Sequence, residues 1–110
     1  HPFLWGVALW SLTHLVLNGD LASVIFFGTF LILAVGGPFS IDRKRKKVSG
    51  DAWERFAALT PNVPFMAIIE GRNSLKIGEL GWWRVVLALI LYGLFIYFHK
   101  SFFGVSPLPT

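Results

Sequence analysis

Cysteine is absent from this chain of 110 residues, and charged side chains are few. Without cysteine there is no disulfide framework, no zinc or iron–sulfur site built from thiolates, and no cysteine nucleophile. Charged residues make up 15% of the chain, whereas a soluble domain carries about 25%. Hydrophobic residues make up 55%, and the mean hydropathy is +0.63. This composition is typical of a membrane protein, and the length allows one compact membrane domain.

Three apolar segments predict an all-α membrane bundle with about three transmembrane helices. They cover residues 3–17, 21–35 and 82–98. The first ends at the turn-forming Asn18-Gly19-Asp20, the second at Gly36-Gly37-Pro38, and the third at His99-Lys100. Each is close to the lower length limit for crossing a bilayer, so a buried or re-entrant helix is the alternative for any one of them.

The long polar segment 38–81 carries most of the positive charge. Eight of the ten basic residues lie in it, and the short turn at residues 18–20 has none. The positive-inside rule therefore places this loop in the cytoplasm and the turn outside. Within the loop, apolar residues at helical spacing predict a short interfacial helix over residues 51–59, which ends before Pro61.

Five consecutive basic residues at positions 43–47 allow two interpretations. They can anchor the topology and contact anionic lipid headgroups, or they can bind nucleic acid. Aromatic residues do not alternate with this run, and no nucleic-acid-binding fold is recognisable. We therefore expect the lipid bilayer, and no nucleic acid, as its partner.

His14 is the ionisable side chain of the first apolar segment, and it is the leading candidate site residue. An imidazole in a membrane span normally faces protein, where it has a partner or a function. It can be a hydrogen-bonded core residue, a proton carrier or a metal ligand such as the axial ligand of haem. His99 is predicted at the same outer side of the membrane, where a solvated helix end is the simpler interpretation. Arg72 could pair with an acid, bind a lipid phosphate or hold a haem propionate.

Three stretches of the chain resemble the NnrU family of bacterial integral membrane proteins. They are HPFLWGVALWSLTHLVLNGDLAS, DAWERFAALTPNVPFMAIIEGR and HKSFFGVSPLP. The resemblance implies a multi-pass protein of the bacterial inner membrane, linked by the family name to nitrite and nitric oxide metabolism. It also implies that residues 1–110 are a single domain, the C-terminal part of a longer protein.

Similar motifs occur in the plant cis-zeta-carotene isomerase, a related membrane protein that uses haem b. By this resemblance His14 is an axial ligand of haem iron, and Ser11 replaces a cysteine implicated as an alternative ligand. The isomerase's other histidine ligand lies upstream of the matched region. By this resemblance the 110 residues hold only half of the site, or His99 serves as the second ligand. Three functions follow as hypotheses: a haem protein of nitrogen-oxide metabolism, a haem-dependent isomerase of a carotenoid-like polyene, and a non-catalytic assembly or transport subunit. The corresponding partner is a membrane-embedded small molecule or another subunit.

Overall fold

The computed structural model describes residues 1–108, and this part of the chain is helical with no strand. It forms two compact units, His1–Ser74 and Leu75–Thr110. The first contains α1 (Pro2–Leu17), α2 (Leu21–Leu59) and the single turn α3 (Met66–Ile69). The second contains a 3₁₀ turn (Ile77–Glu79) and α4 (Trp82–Phe103). The predicted all-α class is confirmed.

Two helices, α2 and α4, are long and apolar enough to cross a membrane. The third expected span, α1, has 16 residues, which gives it a length of about 24 Å. A hydrocarbon core is about 30 Å thick. The described residues therefore contain two helices long enough to span a membrane, fewer than the three or so expected, because the turn at Asn18 ends α1 early.

Asn18 ends α1, and Asp20 begins α2. The Asn18 side-chain amide and its backbone N–H both donate to the His14 carbonyl, which satisfies an acceptor at the end of α1. Asp20 is the N-cap of α2 and accepts from the Ser23 backbone N–H at 2.9 Å. Hydrogen bonds from the Ser23 side chain and backbone lower the pKa of the Asp20 carboxyl.

The second helix does not end at Gly36-Gly37-Pro38, where a stop was expected. It continues through Pro38 to Leu59. A proline removes one backbone donor and is tolerated where the remaining helix is held by packing, and Pro38 is buried. The helical direction breaks instead at Gly50, whose φ of 49° and ψ of −124° are non-helical.

The helix predicted over residues 51–59 is confirmed as the part of α2 that follows Gly50, and its interfacial position stays a prediction. It ends at the C-cap Thr60, directly before Pro61, because a residue before proline is driven out of the helical region. Its last carbonyls receive side chains from further along the chain. Arg72 Nη1 donates to the Ala58 carbonyl, and Asn73 Nδ2 donates to the Leu59 carbonyl at 3.2 Å.

The helices α1 and α2 pack as an antiparallel pair. The small side chains of Ala8, Ser11 and Ala34 are buried, and small residues allow two helix backbones to come close. Near the other end of the pair, a Cβ atom on Gly37 would lie 3.3 Å from Leu4 Cδ1. This close packing fixes the register of α1 against α2.

In the second unit, Gly81 is the N-cap and Gly104 the C-cap of α4, and both glycines have left-handed backbone angles. The Gly104 N–H closes the helix by donating to the Lys100 carbonyl at 2.9 Å. Among the described residues of this unit, none in α4 is buried. An apolar helix with so much exposed surface is suited to contact with lipid.

Candidate functional site

His14 lies one turn before the end of α1, between aromatic rings from both helices of the pair. Its ring stacks on Phe27 of α2, with centroids 4.9 Å apart and an interplanar angle of 29°. Trp10 lies 5.1 Å away on α1, and it also meets Phe27 and Phe30 edge-on. We call His14, Trp10, Phe27 and Phe30 the aromatic slot.

The His14 ring is oriented by its own helix. Nδ1 lies 2.8 Å from the carbonyl oxygen of Trp10, one turn earlier. A carbonyl only accepts, so Nδ1 must carry the proton of this hydrogen bond. In a neutral imidazole the lone pair is then on Nε2, the nitrogen through which such a tautomer coordinates a metal. A hydrogen bond of this kind fixes the ring and raises the basicity of the ligating nitrogen.

His99 has the same arrangement at the end of α4. Its Nδ1 lies 2.8 Å from the Val105 carbonyl, and Phe103 is 4.8 Å away between ring centroids. The carbonyl here comes from the turn after the helix, which Gly104 opens. His99 is therefore held by a C-terminal turn rather than by its own helical repeat. The same tautomer places its lone pair on Nε2.

Arg72 lies in the first unit and pairs with an acid, one of the three roles expected for it. Nε donates to Glu70 Oε2 at 2.8 Å, and Nη2 contacts the same oxygen. Because Nη1 also caps α2 at Ala58, the guanidinium ties the loop to the end of the helix. Its assignment to a haem propionate stays a prediction.

An apolar groove lies along the face of α1 that leads towards His14. It is lined by Phe3, Gly6, Val7 and Trp10, which recur at helical spacing on one side of the helix. The face of α1 that carries His14 is only partly turned towards protein. Ser11 is fully buried, whereas Gly6 is exposed at the groove and Trp10 is 42% exposed.

The residues of the slot that come from α2 were missed by reasoning from the sequence. The apolar pattern of residues 21–35 did not distinguish Phe27 and Phe30 from the rest of that segment. A usable signal existed, because a three-residue turn between two helices makes them antiparallel neighbours. Counting outwards from that turn pairs residue 14 with residue 24, which lies one helical turn from residue 27.

Asp42 is a second partner that the sequence did not reveal. It lies just beyond the apolar part of α2, and its Oδ1 is 2.7 Å from His1 Nε2. At the same end of the pair, Trp5 Nε1 donates to the Asn62 carbonyl at 2.8 Å. These two contacts bring the first turn of α1 against both the middle of α2 and the loop after it.

Within residues 1–108, no group of three or more His, Asp or Glu side chains could hold a metal ion. The slot instead offers one imidazole nitrogen among aromatic rings. Such a donor set fits a metal that brings most of its own ligands, as the iron of a porphyrin does.

The sequence profile of the NnrU family, described as NnrU protein, matches residues 1–107. The chain belongs to the NnrU family. No significant match exists among curated proteins or among solved structures. The aromatic slot, the groove and Arg72 all lie inside the region shared with other NnrU proteins.

Proposed function

We propose that this NnrU protein is a multi-pass protein of the bacterial inner membrane that binds haem b and acts in nitrite and nitric oxide metabolism. His14 is the proposed axial ligand. The observation that carries the proposal is the hydrogen bond from His14 Nδ1 to the Trp10 carbonyl inside the aromatic slot. The link to nitrogen oxides rests on family membership alone.

The tautomer of His14 supports the ligand role. A backbone carbonyl one turn earlier in a helix is a rigid acceptor, so the imidazole cannot rotate without losing the hydrogen bond. The Nε2 lone pair is thus held in one direction. Orienting a ligand before the metal arrives reduces the entropy lost on coordination.

The surroundings of His14 also suit a porphyrin. A haem-binding site needs a flat apolar space with aromatic walls. Trp10, Phe27 and Phe30 supply aromatic rings, and the groove of α1 is apolar. When bound, haem supplies one-electron chemistry and a binding position for small nitrogen oxides. The chain's own part is to hold the cofactor, exclude water and set the basicity of the axial ligand.

His99 and Arg72 are proposed as further contacts to the cofactor. His99 has its Nδ1 bonded to the Val105 carbonyl, so it offers the same nitrogen as His14. Arg72 can bind a propionate only if the propionate replaces Glu70, because the guanidinium is engaged with the Glu70 carboxylate. After this replacement the guanidinium still has one carboxylate partner.

The proposed membrane orientation follows from charge. The basic segment 43–47 lies on the cytoplasmic side, and the turn at Asp20 lies outside. His14 is then near the outer end of α1.

The deciding experiment is an absorption spectrum of the full chain purified with haem. We expect a Soret band that His14→Ala removes or shifts strongly, with membrane insertion retained because the variant is more apolar. His99→Ala should have the smaller effect, because its carbonyl anchor lies outside the helix. His1→Ala is the matched control, since it removes an imidazole at the opposite end of α1. A normal haem spectrum in His14→Ala would overturn the ligand assignment.

The groove on α1 favours a second candidate, a haem-dependent cis-trans isomerase of a polyene. Its lining residues Phe3 to Trp10 extend over about 10 Å of helix, which suits a long apolar chain. Conversion of a cis-polyene by haem-loaded protein in liposomes would favour this candidate over a role in nitrogen-oxide metabolism. Lack of a Soret band would favour an assembly or transport subunit instead.

A further inference from the structure

The basic run lies where α2 would leave the hydrocarbon core of a membrane. From Leu21 to Ile41 the helix rises about 30 Å, which matches the thickness of a hydrocarbon core. Arg43 to Lys47 then occupy the next few ångströms of helix. The headgroup layer on each side of a bilayer is about 5–8 Å deep. The continuous helix through Pro38 therefore holds these cations at the level of lipid phosphates.

The five cations surround the helix. Consecutive residues of an α-helix are about 100° apart, so positions 43–47 cover the full circumference. All five are exposed. Asp42, directly before them, faces His1 of α1. Lys44 and Lys47 consequently project from the opposite side of α2, away from α1, together with Val48, which is 86% exposed. This side combines ammonium groups with an aliphatic side chain, as helices at membrane surfaces do.

One of the five cations is already paired within the chain. Lys46 Nζ lies 2.8 Å from Glu54 Oε1, and within residues 1–108 no other member of the run forms an ion pair. Residues 46 and 54 would be about 12 Å apart along a straight helix. The contact is made because the chain changes direction at Gly50. Glu54 therefore reduces the positive charge of the run from within the fold.

The segment after Gly50 returns towards the same end of the helix pair. Trp5, in the first turns of α1, donates to the Asn62 carbonyl just after α2. The intervening helix carries Phe56 and Leu59, which are 56% and 53% exposed. Exposed apolar side chains that follow a ring of cations are typical of helices that bind at a membrane surface.

We propose that residues 43–47 form a binding surface for the phosphate groups of anionic phospholipids in the cytoplasmic leaflet, and that Glu54 weakens this binding by pairing with Lys46. The inference rests on the membrane placement proposed above and is independent of haem. Nucleic acid is the competing polyanion. The exposed aliphatic Val48 directly after the cations favours lipid, because it has no counterpart on a phosphate backbone.

The test is equilibrium binding of short-chain phosphatidylglycerol to the full chain in neutral detergent, with short-chain phosphatidylcholine as reference. We expect preference for phosphatidylglycerol. Lys44→Gln/Lys47→Gln should weaken its binding about thirtyfold. Lys76→Gln/Lys100→Gln removes the same charge elsewhere and should leave binding unchanged. Glu54→Gln should strengthen binding severalfold, because it releases Lys46.

Several outcomes would overturn the proposal. Equal binding of the two lipids, or equal loss in the control variant, would show that net charge alone is responsible. If inorganic phosphate displaces phosphatidylglycerol when both are present at the same concentration, the surface is a site for free phosphate. Displacement of phosphatidylglycerol by an equal charge concentration of RNA would point to nucleic acid. Alkaline carbonate extraction of each variant from membranes checks the membrane placement separately.

Discussion

The α1–α2 pair and α4 are similarly apolar, but they use their surfaces differently. The pair buries Ala8, Ser11 and Ala34 between two backbones, and this close approach positions the aromatic slot. In the described part of the second unit, α4 has no buried residue. Apolar composition therefore does not indicate which helix packs on protein. Small side chains at matching heights on two neighbouring helices do indicate it.

The two histidines reflect the same difference. His14 is oriented by a carbonyl of its own helix and by Phe27 of the neighbouring helix. His99 is oriented by Val105, in a turn that depends on one glycine. The first arrangement is supported by the packed pair, and the second by local backbone geometry. Three substitutions test this contrast, in order of decreasing expected effect.

The first test places a leucine in the packed α1–α2 pair and, as a control, a leucine on α4. Ala34→Leu adds volume where 3% of the residue is exposed, and we expect it to destabilise the protein by about 1–3 kcal/mol. Ala88→Leu, on exposed α4, is the matched control and should change stability little. Thermal unfolding in detergent measures both. Equal effects at the two positions would show that α4 packs as tightly as the pair.

The second substitution tests the local support of His99. Gly104 has φ +76°, and an L-residue there is disfavoured by about 1–2 kcal/mol. We expect Gly104→Ala to destabilise the end of α4 and to loosen the hydrogen bond from His99 to Val105. Nitrogen NMR shifts of the His99 ring report the tautomer. Gly28→Ala, in helical backbone with nothing within 4 Å of the new Cβ, serves as the control. An unchanged His99 tautomer in Gly104→Ala would show that the turn does not orient the ring.

The smallest effect concerns the start of α2. The pKa of Asp20 is lowered by hydrogen bonds from Ser23. A carboxyl whose pKa is lower in the folded than in the unfolded state stabilises the fold at pH values above its unfolded pKa. This contribution is lost as the pH falls through the folded pKa. We expect the first turn of α2 to exchange amide hydrogens faster below about pH 4. Asp20→Asn keeps a capping oxygen and should remove that pH dependence. If amide exchange in Asp20→Asn becomes faster at low pH as it does in the native chain, another group causes the effect.

Much of the fold could be read from local patterns. The helix over residues 51–59 ends just before Pro61, and the turn at Asn18 separates α1 from α2 as predicted. The stop expected at Pro38 was wrong, because burial of that residue within the packed pair outweighs the loss of one hydrogen bond. The break at Gly50 was not expected, because a glycine next to a charged run gives no sign of its backbone angles.

By itself, the sequence determined the helical class, the exclusion of thiolate chemistry, the placement of charge in one segment and the choice of His14 as the candidate site residue. These properties depend on composition and on short-range periodicity, which every stretch of the chain carries locally. Only the tertiary structure decided that Phe27 stacks on His14, that Asp42 meets His1 and that Lys46 pairs with Glu54. Each of these contacts joins residues whose distance depends on the register of two helices or on the angle of one glycine. Register and angle are set by the packing of many side chains together, so no single segment of the sequence contains them.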